Sequence, residues 1–201
     1  MKIAGIVLAG GLSSRMGQDK AQLLLAKQTL LTRSVELLST LMLGDVFVSG
    51  KYKGFTCIED INVELGPIGG IHACVESLSK QYSALFVLPV DMPLLGSEEC
   101  RYLLQQFVEY PQGVFYEHAT FPMILPLNAE LKEYLIEALA SPHNKQRSLY
   151  RLLKILKLQP VNYQTEAHFR FQNSNTPEEW GDCLAAYQTL ENKINYIDNK
   201  E

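Results

Sequence analysis

The sequence predicts an α/β fold: three layers, α/β/α, around a mostly parallel sheet with one antiparallel element added late in the chain. Three observations carry this. Apolar runs of strand length alternate with segments whose leucines recur at helical spacing, and that order gives parallel strands joined by crossover helices. The first run, Ile3–Leu8, breaks at Gly10-Gly11, as a strand ending in a ligand-side turn does. With 201 residues, 47% of them hydrophobic, the chain suits one domain that buries about 70% of its unfolded surface.

The elements follow in order. Ile3–Leu8 reads as a buried strand, Leu30–Leu43 as a helix and Asp45–Ser49 as a short strand. Ile71–Leu78 reads as a helix leaving a glycine-rich loop, Leu65-Gly-Pro-Ile-Gly-Gly-Ile71. Ala84–Val90 is a second buried strand. Ser97–Glu109 is a helix, with Ser97 as its cap before Glu98 and Glu99. Val114–Glu117 and Phe121–Leu127 supply the antiparallel element, and Ala129–Ala140 and Ser148–Leu158 are helices. In Asn175-Thr-Pro-Glu-Glu179, Thr176 caps the last helix, Pro177 is its first residue and Glu179 reaches back as the acid of a capping box. Residues 1–191 are expected to form one Rossmann-like domain, and 192–201 a polar tail that frays.

Ligands of open parallel sheets bind beyond the carboxyl ends of the strands. The turn after the first strand carries Gly10, Gly11, Ser13, Ser14, Arg15, Gly17 and Lys20. Its backbone N–H groups can form a concave anion site, with Arg15 and Lys20 adding positive charge, so a nucleoside triphosphate is the expected occupant. Gln18 after Gly17 excludes a Walker A loop, and the glycine spacing excludes a dinucleotide fingerprint. Asp91 follows the second buried strand between Pro89 and Pro93, which stiffen it into a carboxylate suited to Mg2+, an ion that takes one or two protein carboxylates and completes its shell with water and phosphate. Asp60 is a second candidate, ahead of the Leu65–Ile71 loop, whose glycines Gly66 and Gly69 bring backbone close to a base or ribose. Asn173 and Asn175 lie two apart, so in an extended stretch both amides face one side, toward a polar second substrate or their own turn. Lys145, Arg147 and Arg151 lead an amphipathic segment and suit an anionic substrate, whereas Lys154 and Lys157 suit a solvated face.

Composition narrows the function classes. A net charge of −4 argues against a general nucleic-acid binder. The four cysteines form no Cys-x-x-Cys pair and the four histidines have no ligand spacing, so free thiols and packing or surface roles are expected. No apolar run approaches a membrane-spanning length of about 20 residues, and no signal peptide precedes the first strand, which predicts a cytoplasmic protein.

Four motifs stand in order: Leu8-Ala-Gly-Gly11 with Arg15-Met16-Gly17 and Lys20; Glu59-Asp60 with Gly66-Pro67-Ile68-Gly69-Gly70; Pro89-Val-Asp-Met-Pro93; and Asn173-Ser-Asn-Thr-Pro-Glu-Glu179. Together they resemble the molybdenum cofactor guanylyltransferases, within the nucleotidyltransferase superfamily. The resemblance implies the nucleotide-diphospho-sugar transferase-like form of the fold, GTP and molybdopterin as substrates, and Mg2+ as cofactor. It also implies transient contact with molybdenum-cofactor biosynthesis proteins or molybdoenzyme chaperones. By position it implies that Leu8, Ala9, Gly10 and Gly11 hold the guanine nucleotide, that Lys20 and Arg15 meet phosphates, and that Asp60 binds nucleotide. Asp91 would bind metal and nucleotide, with Arg147, Asn173 and Asn175 on the pterin side. The chain departs from the family pattern at Phe121, where a polar residue often precedes the proline, and at Ala26-Lys27-Gln28, where a glycine is usual. A cytidylyl-transferring relative, or a nucleotide-binding accessory protein without turnover, are the competing expectations.

Overall fold

The computed structural model describes residues 1–10, 17–61, 65–162 and 168–198. In chain order, β1 (Ile3–Leu8), β2 (Leu24–Leu25), β3 (Gln28–Thr29) and α1 (Leu30–Ser39) lead to β4 (Val46–Ser49), β5 (Cys57–Ile58) and α2 (Gly66–Leu78). Then come β6 (Ala84–Pro89), α3 (Ser97–Glu109), β7 (Val114–Tyr116), β8 (Ala119–Pro126), α4 (Ala129–Ala140), α5 (Leu149–Ile155), β9 (Gln159–Val161) and α6 (Pro177–Asp198). Short 3-10 turns at Lys20–Gln22, Asn144–Arg147 and His168–Phe171 join them.

Among the described residues, seven strands form one sheet in the order β5-β4-β1-β6-β8-β7-β9, and β2 and β3 form a separate hairpin. Of those seven, only β8 runs antiparallel to its neighbours β6 and β7, which is the late antiparallel element the sequence predicts. The strand order reverses direction at β1, which lies between β4 and β6, so the chain diverges there and leaves a crevice at the carboxyl edge. β1 is covered on both faces. A Cβ placed on Gly5 would sit 3.3 Å from Leu38 of α1, while Leu8, of opposite parity, has its Cδ2 3.3 Å from the Cβ position of Gly70 in α2. Alternate residues of a strand point to opposite faces, so α1 and α2 lie on opposite sides of the sheet. The core is centred on β1, β6 and β8, where Ile6, Val7, Leu85, Phe86, Met123 and Ile124 are fully buried.

Several expected boundaries shift for identifiable reasons. α1 stops at Ser39 rather than Leu43, because Met42 takes φ 54, a left-handed conformation that an α-helix cannot continue. The Leu65–Ile71 stretch is not a loop: α2 starts at Gly66, with Pro67 in its first turn, where the missing N–H costs nothing. Ser97 is not a cap. Gly96 holds that position, and the Glu99 carboxylate accepts its N–H at 3.0 Å, while the Ser97 hydroxyl accepts from Arg101. α5 is trimmed to Leu149–Ile155, with Ser148 Oγ accepting the Arg151 N–H at 3.2 Å. α6 opens as expected: Thr176 Oγ1 accepts from Glu179 N at 3.2 Å and Glu179 Oε2 accepts from Thr176 N at 3.1 Å, a reciprocal capping box. It then runs to Asp198, through much of the stretch expected to fray.

Candidate active site

At the carboxyl edge of the sheet the strand ends open on a cleft of about 300 Å3. Leu8 ends β1 and Ala9 and Gly10 follow it, Ser49 ends β4, Asp60 follows β5, and Pro89 ends β6 with Val90 and Asp91 following. Because β8 is antiparallel, its start lies at the same edge, and Thr120 and Phe121 line the cleft there. Gly66, Pro67 and Gly70 of α2, Leu149 of α5, Lys20 and Asn173 complete the wall. The ends of β1 are locked to both neighbours: Ala9 N donates to Ser49 O at 3.1 Å, and Val90 N donates to Leu8 O at 3.0 Å. A larger cavity of about 380 Å3, bordered by Arg33, Leu94, Arg170, Tyr187 and Glu191, holds none of the expected site residues, so volume alone does not select the site.

Lys20 is presented by the 3-10 turn at Lys20–Gln22, which Asp19 orders by accepting the Ala21 N–H at 3.0 Å. Its ammonium lies 3.2 Å from Asp91 Oδ2 and donates to Asn175 Oδ1 at 2.6 Å. Both partners of the ion pair are largely shielded, with side-chain exposures of 14% and 21%, so water screens their attraction less than at an open surface. Asn175 is held in turn by Glu179, whose Oε2 accepts its N–H at 2.6 Å. Ser174, fully buried between Asn173 and Asn175, donates its N–H to Asp91 O at 2.9 Å. The segment therefore pairs with the Asp91 backbone through Ser174, and Asn173 reaches the cleft wall while Asn175 reaches Lys20.

Asp60 accepts from Ser49 Oγ at 3.3 Å. Burial pushes its carboxyl above the ordinary range, partly countered by that hydrogen bond. It therefore favours a ligand that brings hydrogen-bond donors. On the other side of the β1 turn, Tyr52 donates its hydroxyl to Ala9 O at 2.9 Å, with Asp19 Oδ1 at 3.3 Å. Burial and the neighbouring Asp19 raise the Tyr52 hydroxyl above its ordinary value, so it stays a donor at neutral pH. Burial also pushes the Cys74 thiol up to about 12, which removes it as a nucleophile.

The structure thus gathers Leu8, Ala9, Gly10, Lys20, Asp60, Gly66, Asp91 and Asn173 at one cleft, with Asn175 reaching it through Lys20. Three expectations change. Gly69 is buried and does not line the cleft; one helical step on, Gly70 does, because α2 already turns through this stretch. Asn175 does not line the cleft itself; its Oδ1 accepts from Lys20 at 2.6 Å. Arg147 is absent from the cleft wall; within the Asn144–Arg147 3-10 turn its guanidinium donates to Ser141 O at 2.8 Å. Gly11 and Arg15 lie outside the described residues. Sequence reasoning missed Ser49, Gly70, Tyr52 and Thr120. Ser49 was within reach, as the last residue of a recognised strand. Tyr52 had no signal, since its partner Ala9 is 43 positions away.

Among the described residues no group of three or more His, Cys, Asp or Glu side chains could hold a metal, and no helix is long and apolar enough to cross a membrane. Asp91, a single carboxylate just after β6 on the cleft wall, suits a magnesium ion that takes most of its shell from water and substrate phosphates.

Residues 5–162 match the MobA-like NTP transferase domain family. A molybdenum cofactor guanylyltransferase of Xanthomonas euvesicatoria is 38% identical over 176 residues, covering 88% of this chain and 91% of that protein. One from Syntrophotalea carbinolica is 30% identical over 191 residues, covering 88% of each. In fold, the chain is similar to the molybdopterin-guanine dinucleotide biosynthesis protein A of Archaeoglobus fulgidus, with a TM-score of 0.70 at 20% identity over 94% of this chain and 100% of that one. The sheet order, the cleft at the β1 switch point and these likenesses agree: the chain belongs to the MobA-like NTP transferases, in the molybdenum cofactor guanylyltransferase family.

Proposed function

We propose that the chain transfers GMP from GTP to the terminal phosphate of molybdopterin, forming the guanine dinucleotide cofactor and releasing pyrophosphate. The observation that carries the reading is the convergence of Lys20, Asp60, Asp91 and Asn173 on the Leu8–Gly10 turn, in a chain 38% identical to a molybdenum cofactor guanylyltransferase over 88% of its length.

The reaction is an in-line displacement. An oxygen of the pterin phosphate bonds to the α-phosphorus of GTP, the bond from that phosphorus to the α,β-bridging oxygen breaks, and pyrophosphate departs with the electron pair. The nucleophile is already anionic at neutral pH, so no side chain has to remove a proton. The work left to the protein is positioning and charge stabilisation. The Leu8–Gly10 backbone and the first turn of α2 seat the nucleotide, and Asp60 accepts hydrogen bonds from its donor groups. Lys20 stabilises charge on the phosphates and the leaving pyrophosphate. Asn173 faces the second substrate. Asp91 would hold Mg2+, which supplies charge neutralisation at the phosphates when bound.

The test is pyrophosphate release with molybdopterin, magnesium and each of the four nucleoside triphosphates in turn. Release with GTP alone is the expected result. Release with CTP alone would reassign the donor, and no release with any donor despite GTP binding would refute the enzyme reading.

A further inference from the structure

Asn173 and Asn175 sit on a strap, residues 168–175, whose placement is not explained by the cleft itself. The strap begins at the 3-10 turn His168–Phe171, and Arg170 from that turn approaches Glu99 of α3, Nε to Oε1 3.4 Å. The Glu99 side chain is 1% exposed and that of Arg170 28%. The other Glu99 oxygen, Oε2, accepts the Gly96 N–H at 3.0 Å. Gly96 closes the segment that leads away from Asp91, and Arg170 opens the segment that leads to Asn173. One buried carboxylate therefore ties together two pieces of chain that carry cleft residues.

The joint is close-fitting. A Cβ on Gly96 would lie 2.6 Å from Arg170 NH1 and 2.7 Å from Glu99 Oε2, both under any real contact distance. The φ of Gly96 is −110, which any residue adopts, so what a Cβ here would displace is the ends of the Arg170 and Glu99 side chains rather than backbone. Neighbouring contacts point the same way. Tyr116 donates its hydroxyl to the Glu99 carbonyl at 2.6 Å, and its ring packs on Phe171 of the strap at 4.6 Å between centroids. Buried ion pairs add little net stability over an apolar pair of similar volume, but they fix geometry, and removing one partner strands the other charge.

We propose that Gly96, Glu99 and Arg170 form a positioning joint that sets the strap carrying Asn173 and Asn175, and thereby chiefly the site of the second substrate, while the Leu8–Gly10 turn and Asp60 are set separately. This inference rests on the guanylyl-transfer reading. The nucleotide side has its own anchors: Ala9 and Val90 on the neighbouring strands, Tyr52 on Ala9, and Ser49 on Asp60. None of these passes through Glu99.

Steady-state KM values for GTP and for molybdopterin, read by pyrophosphate release in the full chain, separate the two sides. Gly96→Ala, which keeps both charges, and Arg170→Gln are each expected to raise the molybdopterin KM about tenfold, the order of one lost charge-assisted hydrogen bond. The GTP KM is expected to rise less, by no more than about threefold, because the Leu8–Gly10 turn and Asp60 do not use the joint and the strap reaches the nucleotide side only through Asn175 on Lys20 and Ser174 on the Asp91 backbone. Arg170→Lys, which keeps the cation, is expected to recover part of the loss. If both KM values rise by the same factor, or neither moves while the melting temperature falls, the joint is only structural and the inference is overturned. If Arg170→Gln fails to fold, Gly96→Ala decides the matter alone. The wild-type chain is the control: absence of turnover with GTP refutes the guanylyl-transfer reading on which the joint's role depends, whereas normal wild-type turnover with parallel KM changes refutes the joint alone.

Discussion

Gly70→Ala tests how tightly the nucleotide wall is built. The added Cβ would stand 2.5 Å from Ser49 Oγ, 3.3 Å from Leu8 Cδ2 and 3.4 Å from Asp60 Oδ1. Gly70 lies inside α2 without a left-handed φ, so alanine gains about 1 kcal/mol of helix propensity. The first of those distances is far inside contact, and the Ser49 side chain must rotate away. That breaks its 3.3 Å hydrogen bond to Asp60, a loss of about 1.5 kcal/mol for a bond to a charged group. The two terms nearly cancel, so the melting temperature is expected to move by no more than about 4 °C. Binding has no compensating term, because the methyl stands in the wall of a cleft of about 300 Å3 and Asp60 loses the donor that orients it. GTP affinity measured by calorimetry is expected to fall about tenfold, equivalent to about 1.4 kcal/mol. An unchanged Kd would refute the reasoning, whatever the melting curve does, because it would place the Ser49–Asp60–Gly70 wall outside the nucleotide site.

Asp91→Ala is expected to cut pyrophosphate release by about 10²–10³, the usual loss on removing one preorganised electrostatic partner; near-full turnover at saturating magnesium would sink the metal assignment. Asp60→Asn is expected to melt higher than the wild type at neutral pH. The folded chain holds the Asp60 proton more tightly than the unfolded chain, so stability falls as pH rises from the ordinary value of 3.8 through the raised one, and the cost stands in full above it. Melting curves of the two chains across that range should converge at the acid end, and an Asp60→Asn variant that melts lower than the wild type at neutral pH would contradict the burial argument.

How much was legible depends on whether the cause was local. The alternation of strands and helices, the α3 and α4 boundaries and the Thr176–Glu179 box were all readable, because each is set by residues within a few positions. The start of α2 reads as a loop in the sequence since Gly-Gly pairs usually mark turns; here Gly70 is small where the helix passes close to Ser49 and Leu8, a tertiary reason with no local trace. Motif position alone points Arg147 at the second substrate, and the 3-10 turn that directs it to Ser141 is not encoded in that position. β5 and β9 are too short, at two and three residues, for a periodic pattern to reveal them.

The Lys20 contacts mark the same boundary within the site. Motifs place Lys20 with phosphates and Asn175 with a second substrate, yet the Lys20 ammonium touches a carboxylate 71 positions away and an amide 155 positions away. Both contacts follow from the fold: the β1 and β6 ends are adjacent, and Ser174 pairs with the Asp91 backbone. On the proposed reading they also explain why a lysine belongs here. The Asp91 carboxylate is shielded, and a shielded charge without compensation is costly. Lys20 supplies that compensation here. A triphosphate brings its own negative charge and its own cation, so Lys20 can turn to phosphate oxygens without leaving Asp91 uncompensated. Asn175, a neutral amide fixed by Glu179, lets the ammonium change partners while one hydrogen bond is kept, which a second carboxylate would hold too strongly to allow.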